Sequence, residues 1–469
     1  MTARRDFLQL GGLMAAGLTL LRMPRHAARA DEPDDCAPPP APGAPVPFKP
    51  DTDLGIRTRK NAAALPRAEA DRLKSAYDEL RKLSKKDPKD PRGWLQQAIV
   101  HCWYCGGGQN MTAGEEIHGS WWFFPWHRCY LYFHERILGK LVGDKKLTLP
   151  YLDWADANSR TLPSWYTDPN DDSNPLFDGN RQAKPGDKLP DQYVGSTVMK
   201  RVMGQPTSDL FMGTSAFLPR PAGGRLENGP HGAVHLWVGN PSTLDPTPDM
   251  SVLATAAQDP VFFAHHANID RLWDVWLQDP TAHPPHMNPP DGRWLSHRWT
   301  FYDEEKKLTS ISVQDVLDTE TSLRYRYEGA PVMAAKKIEL TAKPLSQKID
   351  VPTEPSLVYV LHIEGIEVPP TKSAVVRVFA NLPTATPETS IEDPHYIGYF
   401  TILAKTSKVR EQHKSHTPTN VMLDVPADLG KMLRGKPEVE VTLVPVAGVS
   451  SRPQDVKLSF QRIRLTVTK

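Results

Sequence analysis

The placement of histidine most constrains what this chain can fold into. Of its sixteen histidines, eight fall in two clusters inside the region of helical apolar periodicity. The first holds His101, His118 and His127, with His134 nearby; the second holds His231, His235, His265 and His266. His231 and His235 stand four apart, so a helix presents both on one face. His266 follows Asp259 by seven residues, on an inward face with apolar Phe262 and Ile269. A single buried histidine is ordinarily a satisfied core residue. Two imidazole triplets on apolar helices point instead to metal, since imidazole suits Zn, Cu, Fe and Ni. The lack of matching carboxylates disfavours Mg, Mn and carboxylate-bridged di-iron. Zinc in a three-histidine site stays open on ligand type alone.

Helical spacing predicts helices over 66–83, 91–102, 127–141, 231–238 and 259–277. The first carries Leu73, Tyr77, Leu80 and Leu83 in register, and the last opens on Asp259 as cap with Pro260 in the first turn. Beyond residue 330 the pattern changes to short β-rich runs at 357–363, 374–380, 396–403, 439–444 and 456–467, which predict a β-sandwich. The expected organisation is a signal segment over 1–30, a Pro-rich arm over 31–50, a helical domain over 51–330, a linker over 331–356 and an all-β domain over 357–469. Its fold class is mainly α, a four-helix bundle with long loops, followed by a C-terminal sandwich.

In the signal segment, Arg4 and Arg5 precede Phe7-Leu8, an apolar run and a small-x-small site at Ala28–Ala30. This predicts export by the twin-arginine route to a periplasmic or extracellular location, with no membrane attachment once the signal is removed. The 56 basic and 55 acidic residues leave a net charge of +1, which gives no sign of a polyanionic partner, and no nucleic acid is expected. Four cysteines, at 36, 102, 105 and 129, are too few for a disulfide scaffold.

The stretch HGSWWFFPWHRCYLYFHE at 118–135 resembles the first copper motif of the tyrosinase and polyphenol oxidase family, and DPVFFAHHANID at 259–270 resembles the second. GPHGAVHLWVG, YLYFHERILGKL and LHIEGIEVPP bring the likeness nearest to the plant-type polyphenol oxidases and extend it over nearly all of the chain after the signal. The resemblance implies a type 3 centre of two copper ions, with His101, His118 and His127 on one and His231, His235 and His266 on the other. His265 is left out, as is His134, to which packing is assigned. It also implies a thioether between Cys105 and His118 and a disulfide between Cys36 and Cys102, leaving Cys129 as a buried thiol. The interval from Cys105 to His118 is shorter than in plant members.

The activity implied is oxidation of o-diphenols by dioxygen to o-quinones, with small phenols as substrates. Glu227 matches an acid that holds a water near the phenolic proton. Gly232 stands where relatives with strong monophenol hydroxylation carry Asn, so that hydroxylation is expected to be weak or absent. Leu253 matches the position of a bulky gate residue. Asp270, Arg271 and the Tyr325-Arg326-Tyr327 run are expected to be structural. The C-terminal domain of the family can cover the site until it is cleaved, and a permanently attached stabilising domain is the other reading. The rival functions are a haemocyanin-like dioxygen carrier, a full tyrosinase, a zinc hydrolase and a caddie-like or structural role with an impaired site, the last disfavoured because all six ligands are present.

Overall fold

The computed structural model describes residues 36–41, 43–105, 116–168, 173–179, 181–239, 249–282, 284–328, 358–366, 373–404, 419–433, 439–446 and 462–468. The signal segment and the linker region lie outside them.

Five helices build the body: α1 (Arg67–Lys86), α2 (Trp94–Tyr104), α3 (Phe123–Leu141), α4 (Gly232–Gly239) and α5 (Val261–Leu277). Their apolar faces meet in one core with Tyr77, Trp126, Phe262 and Trp273. Burial of this surface, at about 25 cal/mol per Å² of apolar area, is the main force holding the helices together. Helix α3 begins four residues before the expected start at His127. Pro125 sits in its first turn, where no intrahelical donor is required, so the aromatic run 123–126 joins the helix. A π-helical turn over Glu227–His231 precedes α4 and contains Pro230, which has no N–H to give to a regular ladder.

Beneath the bundle lies a buried ionic cluster. Asp270 of α5 accepts Arg128 Nε at 2.5 Å and the hydroxyls of Tyr325 and Tyr327, each at 2.6 Å. Glu135 of α3 accepts Arg57, Arg59 Nε at 2.9 Å and the Leu149 amide at 2.8 Å. Burial alone would raise the carboxyl of Asp270, but Arg128 and Arg59 hold it below its usual range. Arg57 and Arg59 come from strand β1 (Arg57–Arg59), Arg128 from α3, and the tyrosines from β3 (Tyr325–Tyr327), which pairs in parallel with β1; β2 (Ala222–Gly223) lies between the two strands in sequence. The structural expectation for Asp270 and the tyrosine run therefore holds through this cluster, and Arg271 reaches Asp153 at 2.8 Å.

The C-terminal region, the tail below, is a two-sheet sandwich. Its strands are β4 (Val358–Ile366), β5 (Ala374–Ala380), β6 (Tyr396–Ile402), β7 (Thr419–Asp424), β8 (Val441–Val446) and β9 (Arg462–Thr468). One sheet runs β9-β4-β7-β2 and the other β8-β5-β6. Leu361, Ile363, Val376, Val378, Phe400 and Leu423 fill the space between them. The body thus lends β2 to the tail's sheet. Along β5 the alternate residues Val375 and Phe379 face the body core instead, so this strand is buried on both faces. Strand β7 and the helix Ala427–Leu433 were not foreseen from the sequence.

Candidate metal centre

His101 sits near the end of α2, His127 on α3, and His118 in the loop before α3. His231 ends the π-turn, His235 lies on α4 and His266 on α5. The first three rings have centroids 5.3 to 5.7 Å apart. The other three are 4.6 to 5.5 Å apart. Within each cluster the ligand nitrogens lie within 4.8 Å of one another. The clusters face each other, with the His127 and His266 rings stacked at 4.1 Å.

Hydrogen bonds fix which nitrogen five of the six rings turn inward. Nδ1 of His101 donates to the Leu253 carbonyl at 2.9 Å, and Nδ1 of His127 to Phe123 at 2.7 Å. Nδ1 of His231 donates to Glu227 at 3.2 Å, and Nδ1 of His235 to Met250 at 2.7 Å. A carbonyl only accepts, so these Nδ1 atoms carry the proton and Nε2 keeps its lone pair. Nε2 of His101, His118, His127 and His231 is buried with no protein partner. Four buried acceptors converging without donors would be costly, unless a cation satisfies them. Nε2 of His235 and Nε2 of His266 stand 3.3 Å apart. That is about the separation of two nitrogens bound to one ion by bonds of roughly 2.0–2.1 Å at a tetrahedral angle. Burial holds His101, His127, His231 and His266 well below the ordinary imidazole range and puts His235 at about 3, so all are neutral, as ligation requires.

His265 is grouped with the second cluster by distance, but its tautomer is opposite. Trp154 Nε1, a donor only, reaches His265 Nδ1 at 3.1 Å. In the neutral ring the proton then sits on Nε2, leaving no inward lone pair. His134 is a packing residue: it stacks on Phe263 at 3.7 Å and bonds Gln97 and Tyr77. Cys129 is buried, and burial pushes its thiol far up.

The loop residue Glu116 was not singled out from the sequence. Its Oε1 accepts both the amide and Nδ1 of His118, each at 3.1 Å. His118 is thus anchored by a carboxylate where the four rings above use backbone carbonyls. Glu227 is buried; its Oε1 accepts the Gly119 amide at 2.7 Å, Oε2 has no protein partner, and burial pushes its carboxyl well up. Leu253 is buried and contributes its carbonyl to His101. Gly232 follows His231 and meets the tail at Thr401. Cys36 and Cys102 form a disulfide that fastens the Pro-rich arm to α2 beside His101. Cys105 is a buried thiol three residues on from Cys102.

A helical body presenting two facing imidazole triplets defines a dinuclear type 3 copper protein. Family models match along the chain: the common central domain of tyrosinase over 91–216 and 187–279, the polyphenol oxidase middle domain over 288–338, and the chloroplastic polyphenol oxidase C-terminal domain over 337–464. Polyphenol oxidase II, chloroplastic, of Ipomoea batatas is 31% identical over 475 residues, covering 88% of this chain and 78% of that one. The chain belongs to the polyphenol oxidase family. Polyphenol oxidase latent form, chloroplastic, of Prunus armeniaca is 37% identical over 307 residues, 60% of this chain and 50% of the relative. The chain spans about half the length of several such curated relatives. A solved latent aurone synthase (polyphenol oxidase) superposes with a TM-score of 0.70 at 26% identity, covering 92% of this chain and 94% of that one. Latent apple tyrosinase gives 0.70 at 27% identity, covering 91% and 100%. No helix among the described residues is long and apolar enough to cross a membrane.

Proposed function

We propose that this protein oxidises o-diphenols to o-quinones with dioxygen, using one copper held by His101, His118 and His127 and a second held by His231, His235 and His266. The observation that carries this reading is the set of buried, unpartnered Nε2 atoms whose rings are locked from behind. Bound copper supplies the one-electron redox chemistry and the dioxygen affinity that no side chain here provides.

The protein's part is orientation and proton handling. Each o-diphenol loses two electrons and two protons, so two turnovers reduce one dioxygen to two waters. Glu227 Oε2, buried and unpartnered, can hold a water within reach of a phenolic hydroxyl. Gly232 offers no side chain to share that water, which favours diphenols over monophenols. Leu253 shapes the entry, and Cys105 and His118 are the pair for a thioether. Strand β6 lies over the Glu227–His231 turn, with Thr401 Oγ1 bonded to the Asn228 carbonyl at 2.9 Å, so the tail restricts access. The paired Arg4-Arg5 supports twin-arginine export, whereas the curated relatives named above are chloroplastic.

The test is dioxygen uptake and quinone absorbance with catechol and with tyramine, on the copper-loaded protein before and after limited proteolysis. Fast catechol oxidation with a weak tyramine response is expected. Two bound coppers with no oxidation of either substrate, but reversible dioxygen binding, would replace the oxidase with a carrier.

A further inference from the structure

The short helical turn Asp249–Ser251 and the two residues after it serve both histidine clusters at once. The Met250 carbonyl anchors His235 and the Leu253 carbonyl anchors His101, so one segment orients a ring on each side of the centre. That segment is itself held from the tail. Ser373 Oγ donates to the Ser251 carbonyl at 2.8 Å, and the Leu253 amide donates to the Ala404 carbonyl at 2.8 Å. The Ala404 amide in turn donates to Ser373 Oγ at 2.7 Å. Val252 and Ala404 form a parallel bridge, and both pack in a small apolar cluster with Cys36, Cys102, Ile99 and Ala254.

The hydroxyl of Ser373 therefore uses its single proton on the body and a lone pair on its own domain. It is buried, as are Ser251 and Ala404, so no water would replace these bonds cheaply. We infer that Ser373 is a positioning residue for the metal centre: by tying Ser251 to Ala404 it fixes the carbonyls that aim His101 and His235. This rests on the reading of those two histidines as copper ligands. In consequence the tail maintains the centre as well as lying across it. Loss of the Ser373 bridge loosens one ligand of each copper together.

The experiment uses the full chain loaded with copper. Wild type, Ser373→Ala and Arg201→Ala are exposed to excess chelator well below their unfolding temperatures, and copper release is followed with time. Arg201 Nη1 donates to the Ile397 carbonyl at 3.1 Å, so its variant removes a body-to-tail bond remote from the 249–253 segment. Ser373→Ala is expected to release copper about tenfold faster or more, in the range seen when groups behind a ligand are lost, while Arg201→Ala stays near wild type. Should Ser373→Ala not fold, Ser373→Cys, which keeps the volume with a weaker donor, takes its place. Equal release from folded wild-type and Ser373-variant protein overturns the inference, as does equally fast release from Arg201→Ala. Wild-type protein that takes up no copper would instead overturn the ligand assignment beneath it.

Discussion

Thr401 of the tail occupies the space that a side chain on Gly232 would need. A Cβ built on Gly232 overlaps the Thr401 side chain, whose Oγ1 is committed to the Asn228 carbonyl. The residue after His231 is thus small because strand β6 lies against it. Gly232→Ala is expected to cost about 1–3 kcal/mol through overpacking. Adding Thr401→Gly should recover part of that loss, giving a coupling of about 0.5–3 kcal/mol in a double-mutant cycle of denaturant unfolding. Strict additivity of the two changes would contradict the contact.

Removing the carboxylate behind His118 should weaken one copper selectively. Glu116→Ala leaves the His118 ring without its acceptor and is expected to lower affinity at the first site by about 10–100-fold. Glu116→Gln retains a carbonyl oxygen and should fall between. Copper content after dialysis against graded chelator checks this: one copper per chain is expected to leave first from Glu116→Ala.

The ionic cluster under α5 gives the largest stability effect expected. Asp270→Ala takes from Arg128, whose guanidinium is fully buried, one of its two carboxylate partners, and removes the acceptor of two tyrosine hydroxyls. Breaking one side of a buried pair costs about 3–5 kcal/mol, to be read from the denaturant midpoint of the copper-free protein. A loss under about 1 kcal/mol would mean that the cluster is dispensable.

Asp274 gives a pH signature. Burial pushes its carboxyl up to about 6, against the pull of Arg128 and with the help of Asp270. Its folded value lies above the unfolded one, about 3.9, so the folded state binds the extra proton between them. The contribution of this group to stability is therefore greatest below pH 4 and declines as pH rises towards 6. Asp274→Asn removes that titration, so its melting temperature relative to wild type should rise between pH 4 and pH 7. A difference that stays flat or falls would contradict the assignment.

The parts of this molecule legible from sequence are those with side-chain periodicity. Periodicity predicts five helices and spacing gathers the histidines into two clusters, whereas the selection of six ligands among the eight follows from the family resemblance. The choice of His266 over His265 came from motif likeness, whereas its physical ground is the Trp154 bond that fixes the opposite tautomer. Met250 and Leu253 act through carbonyls, and a carbonyl leaves no mark on residue identity. Glu116 is one acid among many in a loop until its distance to His118 is known. Strand β2 is an Ala-Gly pair with no alternation to read, and it is specified by β7, some 200 residues away.

The parallel pairing of Arg57–Arg59 with Tyr325–Tyr327 brings the two ends of the helical body to one place. This pairing and the ionic cluster it feeds are complete by residue 328, before the stretch that leads to the tail. Severing the chain in that stretch would cut a tether without opening the clasp. Cutting and departure are then separate events, and contacts such as those of Ser373, Thr401, Ala404, the β5 side chains in the body core and the borrowed strand at Ala222–Gly223 hold the tail on the body.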